Sequence, residues 1–159
     1  MNDATNEFDL EEFLPYLLNQ AAEITSHGFE TGYRDRYGFT RTQWRVLANL
    51  GKFGAMTARD ICAISHIEKT KVSRAVAALE TAEMLRRSPS DKDRRAEVLS
   101  LTDKGLAVFA ELGCLAVSFD RQLRDMLGGE QAEQLLALLR RLMAISPRSA
   151  KSRRRRCLT

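Results

Sequence analysis

Apolar residues recur at three- and four-residue intervals over most of this chain, and the breaks between those runs divide it into helices and two short extended segments. Over residues 8–30, Phe8, Phe13, Leu14, Leu17, Leu18, Ala21 and Ile24 keep helical spacing. Pro15 lies inside the run, so the helix is expected to start near it or to kink there. Gly28, Gly32 and Gly38 interrupt the pattern, and residues 33–39 read as a connection. Thr40 with Gln43 fits a capping box, in which the hydroxyl takes an orphan amide and the glutamine reaches back. The helix it opens buries Trp44, Leu47 and Leu50 and is expected to end at Gly51. A short helix follows Thr57, with Asp60 at the matching cap position and Ile61 and Ile64 facing inward. Ser65-His66-Ile67-Glu68 reads as a further capped start. The helix after it places Val72, Val76 and Leu79 on one face and Lys69, Lys71, Ser73 and Arg74 on the other.

Residues 84–88 and 98–101 read as strands joined through the turn chemistry of Ser88-Pro89-Ser90-Asp91-Lys92-Asp93, a hairpin with a charged tip. Thr102 caps a long helix with Leu106, Phe109, Leu112, Ala116, Phe119, Leu123 and Leu127 inward, and Gly128-Gly129 stops it. A last helix over 130–145 is rich in leucine, after which Arg, Ser and Lys dominate and a disordered tail is expected. Two short helices joined by a tight turn and followed by a hairpin is the order of a winged helix-turn-helix. The expected organisation is an N-terminal helix and connection (1–39), a winged helix-turn-helix (40–101), C-terminal linker and dimerisation helices (102–146) and a basic tail (147–159). The fold class is mainly α with a small β-hairpin wing.

Charge sharpens this picture only when it is located. The chain has 159 residues and a net charge of +4, but six of its 25 basic residues lie in 148–156. The remaining 19 face 21 acidic ones, so the body is slightly acidic. Against that background, Lys69, Lys71, Arg74, Arg86, Arg87, Lys92, Arg94 and Arg95 outnumber Glu68, Glu80, Glu83, Asp91 and Asp93. A helix about 10–12 Å across fits the major groove of B-DNA when it is polar and basic outward and apolar inward. Residues 69–79 meet both demands, and the hairpin tip is a candidate for the neighbouring minor groove. Apolar residues on several sides of the first and last helices imply burial by a partner chain.

The stretch Asp93-Arg94-Arg95-Ala96-Glu97-Val98-Leu99-Ser100-Leu101-Thr102-Asp103-Lys104-Gly105 resembles the wing and following helix start of the MarR family, the multiple antibiotic resistance regulators. Lys69-Thr70-Lys71-Val72-Ser73-Arg74 is similar to that family's recognition helix, which often reads Lys-Ser-Thr-Val-Ser-Arg; Lys71 stands where a small polar residue is usual. Phe13-Leu14-Pro15-Tyr16-Leu17 resembles members that control aromatic-acid catabolism. The resemblance covers roughly residues 8–146. It implies a homodimer interlocked through its first and last helices, with each winged helix on half of a palindrome in double-stranded DNA. It also implies that Arg95 enters the minor groove, braced by Asp93, and that Arg94 meets phosphate. The DNA-binding set is then Lys69, Thr70, Lys71, Ser73, Arg74, Lys92, Asp93, Arg94 and Arg95.

A repressor released by a small phenolic or aromatic-acid ligand is the expected mode of action. Candidate pocket walls are Tyr16, Asn19, Tyr37, Trp44, Arg45, Phe109 and Cys114, each of which also reads as core packing or exposed loop. Catalysis is not expected, because the chain has no glycine-rich phosphate loop, no paired nucleophile and base, and no His-Glu-x-x-His. No cofactor is expected, and His27 and His66 lack a partner at metal-ligand spacing. Cys62, Cys114 and Cys157 are too far apart for a disulfide framework and suit a reducing cytoplasm. No apolar run reaches 18 residues and the first eight carry no basic start, so neither a membrane span nor a secretory signal is expected. Two alternatives stay open: a winged helix that docks a protein partner, and a thiol-based redox regulator.

Overall fold

A computed structural model describes residues 8–90 and 96–145. Along the chain run α1 (Leu14–Tyr37), α2 (Arg41–Phe53), β1 (Met56–Thr57), α3 (Ala58–Ser65), α4 (Lys69–Thr81), β2 (Leu85–Pro89), β3 (Glu97–Leu101), α5 (Asp103–Leu127) and α6 (Gly129–Met143). The three strands form an antiparallel sheet in the order β1-β3-β2. Leu85 pairs with Leu101, Arg87 with Leu99, and Met56 with Leu99 on its other side. This is the mainly helical, winged helix-turn-helix architecture expected from the pattern. Two compact units divide the chain, Met1–Ala116 and Val117–Thr159, with the division inside α5.

The first unit holds the core. Leu47 and Leu50 of α2, Ile61 of α3, Val72, Val76 and Leu79 of α4 and Leu99 of β3 are almost free of solvent. Tyr33 and Phe39 close it on one side, and Val108 and Leu112 from α5 on another. Each such aliphatic side chain contributes about 1.5–3 kcal/mol when fully buried. This packing, more than intrinsic propensity, therefore holds helices as short as α3. In the second unit Ala132 is buried, and Arg124 joins α5 to α6 by pairing with both Asp120 (2.7 Å) and Glu133 (2.9 Å). No described helix is long and apolar enough to cross a membrane.

Both capping boxes are formed. The Thr40 hydroxyl accepts from the Gln43 amide and the Gln43 side chain accepts from Thr40; Thr57 and Asp60 do the same for α3. Thr102 accepts from the Gly105 amide at the start of α5. Pro15 lies in the first turn of α1, where its missing N–H costs nothing.

Several expectations are corrected. The first helix does not end before Tyr33: α1 runs through Gly28 and Gly32 to Tyr37, because Tyr33 is locked in the core against Phe29 and Trp44. That packing outweighs the roughly 1 kcal/mol cost of a helical glycine. Gly51 does not end α2, which continues to Phe53; the Phe109 ring occupies the space a side chain at Gly51 would need. The actual terminator is Gly54, at φ 81°. Ser65 does not cap α4 but ends α3, and Glu68, at the N-cap, makes no side-chain capping bond. Ile64, Leu106 and Leu127 are exposed, not inward. β1, two residues long, is too short to show an alternating pattern.

Gly105 is required by a close approach. A Cβ there would lie 2.0 Å from the Met84 carbonyl oxygen, a backbone atom with little room to retreat. Gly105→Ala is expected to cost about 1–3 kcal/mol in urea denaturation. Gly113→Ala, on the same helix with nothing within 4 Å, is expected to gain about 0.5–1 kcal/mol.

Candidate nucleic-acid interface

α4 divides cleanly. Val72, Ala75, Val76 and Leu79 are buried, so the opposite face must carry Lys69, Thr70, Lys71, Ser73 and Arg74, and all five are exposed. No ion pair holds Lys69, Lys71 or Arg74 among the described residues. Three exposed cations and two hydroxyls thus lie along less than two helical turns.

The pose of α4 is set by the turn before it. His66 takes a left-handed conformation (φ 52°) that reverses the chain after α3. Ser65, just ahead, is buried, and both its polar ends are held from α2. The Asn49 amide donates to its hydroxyl (2.9 Å) and the Arg45 guanidinium to its carbonyl (2.5 Å). At the far end of α4, Arg87 of β2 donates to Glu80 of α4 and to Glu97 of β3, each at 2.9 Å. Those carboxylates hold the guanidinium even more firmly protonated than usual, the Glu80 bond first. One cation therefore ties the helix to both strands of the hairpin. Arg86 is exposed and donates to the Ser100 hydroxyl (3.3 Å). The hairpin stem closes through the Ser90 amide to the Ala96 carbonyl, 2.9 Å. Lys92, Asp93, Arg94 and Arg95 lie outside the described residues, as do the basic tail and Cys157.

Of the seven pocket candidates, two meet. Trp44 and Arg45 line a cavity of about 330 Å³ with Ser26, Phe29, Tyr33 and Arg41. The Trp44 ring stacks near Tyr33 (6.1 Å, 17°) and meets Phe29 edge-on (5.5 Å). The others are placed elsewhere. Tyr16 and Asn19 lie on the first turns of α1. Tyr37 stacks on Phe39 and donates its hydroxyl to Glu111, which raises its pKa and holds Glu111 below the usual carboxylate range. Phe109 fills the space beside Gly51, and Cys114 is exposed on α5. Cys62 is half-buried against the core. The sequence reading missed Ser26, Phe29, Tyr33 and Arg41. The i, i+4 spacing of Phe29–Tyr33 is a signal hidden when the first helix ends too early, whereas Arg41 and Arg45 stand one turn apart on α2.

Comparison with known proteins places this geometry. A model of the MarR family matches residues 37–96. The uncharacterised HTH-type transcriptional regulator YwaE of Bacillus subtilis is 30% identical over 95 residues, 60% of this chain and 56% of that protein. The chain thus spans about half the length of that curated relative. Among solved structures, the transcriptional regulator PA4135 is 29% identical with a TM-score of 0.77, over 85% of this chain and 98% of that one. BpsR of Bordetella bronchiseptica, whose DNA binding is regulated by 6-hydroxynicotinic acid, is 23% identical with a TM-score of 0.77, over 87% and 99%.

The Thr57–Asp60 cap, which fixes the start of α3 and so the approach to the turn, has a testable electrostatic signature. The Thr57 hydroxyl, then its amide, donates to the Asp60 carboxylate and holds its pKa below the ordinary aspartate value. A depressed folded-state pKa stabilises at pH above the unfolded value, and that contribution is lost as pH falls through the folded one. The stability gap between wild type and Asp60→Ala, from denaturant midpoints, is expected to be full at neutral pH and to shrink below about pH 4. A gap that does not change with pH would exclude the charged cap as its source.

Proposed function

We propose that this chain, which a MarR family model matches over residues 37–96, is a member of that family and acts as a dimeric, sequence-specific DNA-binding regulator of transcription, with α4 as the recognition helix in the major groove. The observation that carries this reading is the division of α4: four side chains packed into the core, and five polar or basic ones exposed with no ion-pair partner among the described residues. Arg and Lys read guanine edges by hydrogen bonding, and lysines neutralise phosphates as point charges. The two helix–hairpin units of a dimer would address half-sites about 34 Å apart, one turn of the duplex.

Dimerisation is supported by apolar side chains left exposed among the described residues. Phe13, Leu14, Leu17 and Ile24 on and around α1 are exposed, as are Leu135, Leu138, Leu142 and Met143 of α6. A second copy is the occupant we assign to these faces, and twofold symmetry would make the protein match a palindrome. Seated on a promoter, such a dimer blocks polymerase, which makes repression the favoured sign. The aromatic cavity with its two arginines is the place for an effector, an aromatic or phenolic acid. The regulation of BpsR by 6-hydroxynicotinic acid agrees with that class.

Selection of bound duplexes from a random pool tests the reading. The expected product is a palindrome whose affinity falls steeply between about 50 and 200 mM salt. Arg74→Ala and Lys71→Ala are each expected to weaken binding. A residue that reads a base costs about 1–3 kcal/mol and relaxes preference at one position. A phosphate contact instead weakens all sequences alike and lowers the salt slope by about one. No selected sequence and no salt dependence would leave a protein-docking module as the better account.

Leu135→Glu combined with Leu138→Glu is expected to turn a sedimenting dimer into monomer while far-ultraviolet helicity persists. A wild-type chain that sediments as a monomer would remove the palindrome from the proposal.

A further inference from the structure

A second cavity, of about 360 Å³, borders the start of α4, and a histidine lines it. Its charged walls are Glu23 of α1, Arg41 and Arg45 of α2, Glu68 and Lys71 at the start of α4, and His66 in the turn between α3 and α4. Two of these cations are already engaged, Arg41 by the Glu23 carboxylate (2.8 Å) and Arg45 by the Ser65 carbonyl (2.5 Å). Lys71 and His66 are exposed and have no hydrogen bond or ion pair among the described residues. With a neutral imidazole the walls carry three positive charges against two negative ones. A proton on His66 doubles that excess, and imidazole is the side chain that changes charge between about pH 5 and 8.

Lys71 belongs to this cavity and to the exposed face of α4 alike. Phosphates line both edges of the major groove, so a duplex that admits that face carries one of its backbones past the cavity. The Thr42 hydroxyl, also on the wall, is a neutral donor of the kind that backbone phosphates accept from. We propose that the cavity seats a backbone phosphate of bound DNA, and that His66, beside Lys71, is its titrating contact, so that affinity for DNA rises as pH falls. The contact rests on the reading of α4 as the recognition helix; what it adds is a residue outside that helix and a dependence on pH. The sign follows from linkage. A neighbouring phosphate favours the imidazolium, so binding takes up a proton and is tightest where protons are abundant. The chain's other histidine, His27, is on α1 with Glu30 at 3.0 Å and is not among the walls. The two imidazoles are therefore separable by substitution.

Affinity of the full chain for the selected duplex is measured at pH 7.5 and pH 5.5, in phosphate-free buffers and over a series of salt concentrations. Wild type is expected to bind about fivefold tighter at the lower pH. Its salt dependence is expected to steepen there by up to about one, because a protonated contact releases a further counterion. His66→Asn and His66→Gly both tolerate the left-handed backbone of the turn. Each is expected to lose most of the gain while staying within about threefold of wild type at pH 7.5. His27→Asn is expected to keep it. Inorganic phosphate, exchanged for chloride at equal ionic strength, is expected to leave the gain in place; its disappearance would assign the cavity to a free anion and overturn the DNA contact. Wild-type affinity that ignores pH, a gain that survives in both His66 variants, a gain lost in His27→Asn, or a gain with no change in salt slope also overturns it. Absence of binding to any duplex at either pH overturns the DNA reading and this contact together, whereas salt-dependent binding without the pH effect leaves that reading standing.

Discussion

Ser65 is the one polar side chain that is buried among the described residues, and the working geometry of the protein depends on how it is satisfied. A polar group taken out of water costs free energy unless it is hydrogen-bonded. Both its hydroxyl and its carbonyl are met from α2, by Asn49 and Arg45. That requirement ties α2 to the corner between α3 and α4. His66 then turns the chain in a conformation that costs a residue with a side chain roughly 1–2 kcal/mol. The exposed face of α4 points where it does because the corner behind it has two bonds and a fixed reversal.

At the opposite end of α4 the constraint is ionic. Arg87 sits between Glu80 and Glu97, so helix and hairpin share one cation. The side chains are partly exposed, and each pair alone is worth no more than about 1 kcal/mol. Their joint effect is geometric: Glu97 holds the guanidinium on the hairpin stem, and the stem cannot swing from the helix without breaking the Arg87–Glu80 pair. With one anchor at the Ser65 corner and the other at Arg87, the three cations of the middle face have no ion-pair partner among the described residues.

Much of this was legible in the amino-acid order. Thr40–Gln43 and Thr57–Asp60 announce helix starts through chemistry that acts over three residues, and both form. Val72, Val76 and Leu79 mark the buried side of α4 by period alone. What failed was the reading of glycine as punctuation. Gly28, Gly32 and Gly51 lie inside helices because Tyr33 and Phe109, distant in sequence or facing another element, decide the matter by packing. The same error hides part of the cavity, since Phe29 and Tyr33 share a face only if α1 continues past Gly32. The Ser65-x-x-Glu68 spacing imitates a capping box, but burial of Ser65 assigns its hydroxyl to Asn49.

The sheet carries a last consequence, for how copies of the chain can meet. β1 forms one border and offers only two residues; β2 forms the other, presenting Arg86 and Arg87 to solvent and ending in Pro89, which has no amide to donate. Neither border is a template on which another strand could be laid down. Strand-by-strand association into open-ended stacks is therefore discouraged by the hairpin's own composition. In the proposed dimer, self-recognition falls to the helices, and a twofold contact of that kind would close on itself.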